Sequence, residues 1–243
     1  DPLHIPGRER CAVRIAVIGV GSIGLRHLRN LKTLGYAHVR GWDIDPAKGD
    51  PIDWAWKPDV VLVCTPPASH TGLVWQIPSG TKGIFVEKPL SDQLGEDEET
   101  IIRSVANLGI ITMVAANWRF RSGMQDLLFR PGPLHITATI PIPQERRTNL
   151  TWDVTIHWID LETWATREGF EHQDFQAIST YAEPYSVKIR CGDKAREWRK
   201  GNNAMYLGEM RHFMHCIKTG KPTGNDLGQA AETLKLALGV KDG

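Results

Sequence analysis

The chain has 243 residues, with 29 Lys and Arg against 28 Asp and Glu. That near-neutral balance, with no long basic run, sets nucleic acid aside as a partner, and no apolar run approaches the ~20 residues of a membrane span. The four cysteines, Cys11, Cys64, Cys191 and Cys216, form no C-x-x-C pair and read as reduced thiols of a cytoplasmic protein with no zinc site.

The opening DPLHIPGRER lacks the apolar core of a signal peptide and predicts a loose tail. Val13 to Ile18 is then a short β-branched run, the pattern of a strand buried on both faces. Gly19, Gly21 and Gly24 follow in G-x-G-x-x-G spacing. From Ser22 to Leu34, apolar residues recur at Ile23, Leu28, Leu31 and Leu34 near helical period, and Gly35 fits a C-terminal cap. This pattern suits a dinucleotide. Gly19 allows a tight turn, Gly21 admits the pyrophosphate close to backbone, and Gly24 lets helix pack on strand. Ser22 and Ile23 open the helix, whose N–H groups and positive dipole end face that pyrophosphate. Val39–Trp42 reads as a second strand ending in Asp43. A carboxylate there accepts hydrogen bonds from both ribose hydroxyls of an adenosine and repels a 2′-phosphate, so the spacing predicts NAD over NADP. FAD and S-adenosylmethionine folds share the glycine turn and acidic strand end, and only later motifs separate them.

Ile44–Lys57 is polar and holds two prolines and a glycine, which predicts a minimal connection where a crossover helix is usual. Val60–Cys64 is a buried strand. Thr65, Pro66 and Pro67 form a rigid wall at its carboxyl end, and a helix runs from His70 to about Ile77. Gly83–Val86 leads into Glu87-Lys88-Pro89, after which Ser91 or Asp92 is placed to cap the next helix. Ile110–Ala115 is the last of these strands and ends in Asn117-Trp118-Arg119-Phe120. Alternating strand and helix predicts an α/β fold with a doubly wound parallel sheet. Beyond residue 120 the pattern changes to an alternating strand (Leu134–Ile142), a helix (Trp152–Trp164) and three strands (Phe175–Tyr181, Ser186–Cys191, Ala195–Trp198) read as antiparallel. Two helices follow, Tyr206–Ile217 and Leu227–Val240. The expected division is residues 1–119 for the dinucleotide unit and 120–243 for a smaller α+β unit with an open, mostly antiparallel sheet. The closing helices are free to pack back on the first unit.

Lys88 stands at a strand's carboxyl end facing the same crevice as the glycine turn, where an ammonium can hold a substrate hydroxyl. Without the other motifs, a surface Lys before a proline turn is the plainer reading. His157 follows Asp153 by four positions, which on a helix puts both on one face. His is the natural proton carrier near neutral pH, and Asp153 can orient it or bind substrate. An ordinary surface pair reads equally well. Asp153, His157 and Asp160 lack a further His or Cys pair to complete a metal site.

GVGSIGLRH, CTPPASH, VEKPLS, NWRF and DVTIHWIDL, in that order, resemble the Gfo/Idh/MocA oxidoreductases, and the closing EMRHFMHCIKTGKPTGNDLGQAAETLKLAL is similar to that family's last helices. The resemblance implies a Rossmann domain and an α/β domain whose open sheet often forms a subunit interface, hence a homo-oligomer. It implies NAD(P)-dependent oxidation of a hydroxyl on a sugar, sugar derivative or cyclitol. It makes Lys88, Asp153 and His157 the catalytic set, which would also hold the substrate. It places Thr65, Pro66, Pro67 and His70 on the nicotinamide and ribose side, with Glu87, Lys88 and Arg119 near the cofactor. Trp118 and Trp152 either stack on a sugar ring or pack in the core. Two rivals stand beside this: the second unit is short for the family, which suits a non-catalytic NAD-binding accessory protein, and the resemblance also admits an NAD-dependent glycoside-cleaving enzyme.

Overall fold

The computed structural model describes residues 13–147 and 149–239, with Arg146 and Trp152 described by their backbone alone. The expected N-terminal tail, Cys11 and the final Val240 lie outside these residues. The first half builds β1 (Ile15–Ile18), α1 (Ser22–Thr33), β2 (Val39–Trp42), β3 (Val60–Val63), α2 (His70–Gln76), β4 (Gly83–Val86), α3 (Glu96–Ala106) and β5 (Ile111–Val114). The five strands form one parallel sheet in the order β2-β1-β3-β4-β5. Strands β1, β3 and β4 are buried throughout, as their unbroken apolar runs require. The order reverses between β1 and β3, so the crevice opens at the carboxyl ends of these neighbours. Register aligns Ile18 with Val63, and Val63 with Val86. Gly19, Thr65 and Lys88 therefore leave the sheet side by side.

The link from β2 to β3 contains only a single short turn of 3₁₀ helix, Trp54–Trp56. The Trp54 and Trp56 rings meet fully buried Trp42 edge-on, at 5.4 and 6.0 Å between centroids, so the space of a crossover helix is filled by indoles. One capping expectation is corrected. Neither Ser91 nor Asp92 caps α3, which begins at Glu96, and the Glu98 carboxylate instead accepts from the Gly95 N–H at 2.9 Å.

The second half adds α4 (Met124–Leu128), β6 (Leu134–Thr139), a wide π-helical turn (Thr151–Thr155) running into α5 (Ile156–Arg167), β7 (Phe175–Thr180), β8 (Ser186–Cys191), β9 (Lys194–Trp198), α6 (Asn203–Thr219) and α7 (Leu227–Gly239). Its sheet runs β7-β6-β8-β9. The strand β7, read from the sequence as antiparallel, pairs parallel with β6, while β6–β8 and β8–β9 are antiparallel. The reason is α5: a helix between β6 and β7 returns the chain to the same end, the condition for a parallel pair. α5 covers one face of this sheet through Trp158, Leu161 and Trp164. α6 and α7 close the first sheet on opposite faces. Met210 and Phe213 pack with Ile15, Leu62 and Phe85, and Leu227 and Leu234 pack with Val61, Val63 and Val86.

Candidate active site

The glycine turn has the shape a dinucleotide needs. Gly19 has φ +87°, and a Cβ on it would meet the Cys64 carbonyl at 2.8 Å. A Cβ on Gly24 would lie 1.9 Å from the Gly19 carbonyl oxygen, so this glycine keeps turn and helix in contact. Around Gly21 there is nothing within 4 Å of the Cβ position, which leaves its backbone open to a ligand. Asp43 closes the far end. Its Oδ2 accepts from the Val20 N–H at 2.7 Å and its Oδ1 from the Asp45 N–H at 2.9 Å. The carboxylate is thereby fixed beside the turn with lone pairs left for ribose hydroxyls. A cleft of about 1060 Å³ runs along Gly19, Gly21, Asp43, Thr65 and Pro66, with Ser22 and Ile23 in its wall. These residues fit NAD: an open glycine, a helix N-terminus and a fixed carboxylate stand in the order of its parts.

Not every expected cofactor residue faces this cleft. Pro67 is set back in the first position of a 3₁₀ turn. His70 is fully buried, with Nε2 2.7 Å from the Thr65 carbonyl and Nδ1 2.9 Å from that of Pro89. It ties the end of β3 to the turn after Lys88. Burial pulls its pKa below the ordinary histidine value against the opposing pull of the two carbonyls. Glu87 is buried and bonds His27 Nε2 at 2.6 Å. Burial raises its pKa, but the His27 hydrogen bond and the charges of His27, Lys88 and His70 outweigh this and hold the carboxyl below its usual range. Arg119 is buried in a fork: Nε and Nη2 donate to the two oxygens of Asp160 at 2.8 and 2.6 Å, and Nη1 donates to the Gly224 carbonyl at 2.6 Å. The fork turns Arg119 from an expected cofactor contact into a brace between α5 and the segment before α7.

Lys88, Asp153 and His157 do come together. The Lys88 ammonium donates to the Asp153 carbonyl at 3.1 Å, across from β4 to the π-helical turn. Lys88 and His157 line one small chamber of about 20 Å³, with Asp160 and Asn225 behind them. Burial depresses the Lys88 pKa, and the charges of Glu87 and Asp153 counter it. Burial and then the Lys88 charge push His157 well below its ordinary value, so its imidazole is neutral. The Asp153 carboxylate accepts from the Tyr181 hydroxyl at 2.5 Å, just beyond β7. Trp118 is buried against Trp158 and Trp198, which decides for packing over sugar stacking. Trp152 is placed by its backbone in the π-helical turn. Among the described residues no group of three or more His, Cys, Asp or Glu is arranged to hold a metal ion. Sequence reasoning did not single out Tyr181 or His27. His27 stood in the glycine-helix motif three positions past Gly24, but a lone histidine on a helix carries no sign of its partner.

Residues 13–115 match the family described as oxidoreductase family, NAD-binding Rossmann fold. Among curated proteins, the chain is 28% identical to a myo-inositol 2-dehydrogenase of Thermotoga maritima over 65% of this chain and 56% of that one. It is 31% identical to a scyllo-inositol 2-dehydrogenase (NAD(+)) of Bacillus subtilis over 47% and 38%. The chain thus spans about half the length of the curated relatives it matches. A solved UDP-N-acetylglucosamine 3-dehydrogenase from Acidithiobacillus ferrooxidans shares the fold, with TM-score 0.74 at 18% identity over 93% of this chain and 96% of that chain. No helix among the described residues is long and apolar enough to cross a membrane. With the glycine turn and Asp43 lining one cleft and the E-K-P strand end meeting the D-x-x-x-H segment at a separate small chamber, residues 13–115 carry the NAD-binding Rossmann domain of the Gfo/Idh/MocA oxidoreductase family.

Proposed function

We propose that the protein is an NAD-dependent oxidoreductase that interconverts a hydroxyl and a keto group on a cyclitol or sugar. The observation that carries this is the convergence of Lys88, Asp153 and His157 at the carboxyl end of β4, two strands along the sheet edge from the glycine turn after β1. On this reading the glycine turn and α1 hold the pyrophosphate and Asp43 holds the adenosine ribose. Bound NAD supplies the hydride acceptor. Neutral His157 takes the proton of the substrate hydroxyl on an imidazole nitrogen. The Lys88 ammonium donates to the same oxygen and stabilises its developing charge. Asp153, held by Tyr181, orients the substrate beside them. The names of the inositol dehydrogenases it resembles favour a cyclitol. The division between cofactor and substrate units falls at Arg119 and Phe120, and the uncovered face of the second sheet, which carries exposed Ile178, is the surface for self-association.

The test is Lys88→Ala, assayed for NAD binding by calorimetry and for turnover on a panel of inositols and sugars. NAD affinity should stay within a few fold while turnover falls roughly 10²–10⁴-fold, the scale of a positioned proton-handling group. Unchanged turnover would overturn the assignment. One observation favours a second reading, an accessory protein that binds NAD without turnover: the chamber that Lys88 and His157 help to line is small, about 20 Å³. NAD binding with no response to any cyclitol or sugar would decide for it.

A further inference from the structure

We propose that Arg26 is a phosphate-binding residue of the dinucleotide cleft, held in place by the ring of Tyr206. The inference rests on the NAD reading above and adds a contact that the glycine pattern does not contain.

Arg26 lies three positions after Ile23 on α1, and both line the cleft. That spacing puts them on one helix face, one turn in from the N-terminus that the pyrophosphate would approach. The Arg26 guanidinium sits 4.4 Å from the centroid of the Tyr206 ring, over its face. Tyr206 comes from α6, at the other end of the chain, and is itself set: its ring meets His27 edge-on at 6.3 Å, and His27 is bonded to Glu87. Burial, then the charge of Glu87, raises its phenol to about 12, so the ring is a neutral platform under the cation.

What the cation faces is the deciding point. Among the described residues the Arg26 guanidinium makes no ion pair and no side-chain hydrogen bond. The other charged groups nearby are engaged. Lys48 pairs with Asp45 at 2.9 Å, Asp43 accepts from two backbone N–H groups, and Glu87 is held by His27 and the Lys88 N–H. The Arg26 guanidinium opens onto the cleft, where solvent meets the five N–H donors of its flat fork until a ligand with paired oxygens displaces it. The geometry that satisfies such a fork is a phosphate or carboxylate taken through two oxygens. In this cleft that ligand is the pyrophosphate, because Arg26 shares its helix face with the residues beside the glycine turn, whereas Asp43 marks the ribose end. The stack on Tyr206 fixes the guanidinium in advance, so little side-chain freedom is lost on binding.

The experiment is calorimetry on the full chain with three probes, NAD, ADP-ribose and adenosine, at low and high salt. Arg26→Ala should weaken NAD and ADP-ribose about tenfold or more, flatten their salt dependence and leave adenosine unchanged. Arg26→Lys should fall between, since a point charge keeps the attraction and loses the fork. Tyr206→Phe keeps the ring and should bind as the parent does, whereas Tyr206→Leu should weaken both phosphate-containing probes several fold. ADP-ribose binding within twofold of the parent in Arg26→Ala overturns the proposal. So does an equal loss for adenosine, which would mark a general disturbance of the cleft. Failure of the parent chain to bind either NAD or ADP-ribose overturns the NAD reading itself, and this inference with it.

Discussion

His157 and Lys88 each sit where burial works against their charged forms, and both line one small chamber of about 20 Å³. The consequence for His157 has a definite sign. In the folded chain it stays neutral below the ordinary histidine value near 6.5, whereas the unfolded chain takes up a proton there. Its contribution to stability is therefore present above pH 6.5 and is lost as pH falls below 6.5 toward the folded pKa. The same shift keeps the base active in mild acid. In the pH profile of kcat/KM for alcohol oxidation, the acid limb should lie below 6.5, and an acid limb at or above that value contradicts the depressed histidine. In urea titrations, His157→Asn should lose less stability than the parent chain between pH 7 and pH 5; equal losses would place the titrating group elsewhere.

α5 is the element on which the proposed chemistry depends, since Asp153 and His157 both ride on it or on the turn before it. Two features aim it. The π-helical turn Thr151–Thr155 offsets Asp153 from the simple one-face relation that a four-residue spacing suggests, and Tyr181 and Lys88 take up its groups. One turn past His157, Asp160 is clamped by Arg119, which also reaches Gly224 and Asn225. Removing one partner of such a buried pair strands the other charge, so Arg119→Met should cost about 3–5 kcal/mol in urea unfolding. Replacing both, Arg119→Met with Asp160→Leu, should recover most of that loss, because no charge is left stranded. Turnover should not recover with it, because the fork that orients α5 is gone. A double variant as unstable as the single one, or one with parental turnover, would sink this account. These partnerships mark where the sequence stopped being readable. The buried strands, the glycine turn and Asp43 announce themselves in local pattern, as unbroken β-branched runs and fixed glycine spacing. Arg119 with Asp160, Tyr181 with Asp153 and His27 with Glu87 join positions 28 to 60 residues apart, and nothing local at either end names the other. The parallel pairing of β7 was equally hidden, because alternation shows which face is buried and carries no strand direction.

Across the whole molecule, the last forty residues finish what the first hundred begin. The first sheet has α6 on one face and α7 on the other, so its core closes only when the chain's final helices are in place. α6 is shared between the two sheets: Met205 near its start belongs to the core under the second sheet, while Met210 and Phe213 belong to the first. Phe213 is fully buried, its ring 5.5 Å from that of Phe85, and the missing side chain of Gly83 lets α6 sit close, since a Cβ there would lie 2.3 Å from Ile217 and 3.2 Å from the Phe213 ring. Truncating it to Ala should cost about 3–5 kcal/mol, the range for a buried aromatic. The distribution of that loss is the sharper test. If one helix and the Arg119 brace join both cores, the sheets open together, and native-state hydrogen exchange in Phe213→Ala should speed up in β6 and β8 as well as in β1 and β4. Faster exchange confined to the first sheet would mean that the second is an independent unit and that α6 is a cover rather than a tie. Since Tyr206 on that same helix lies under Arg26, joint opening would also connect the fit of the cofactor cleft to the packing of the chain's far end.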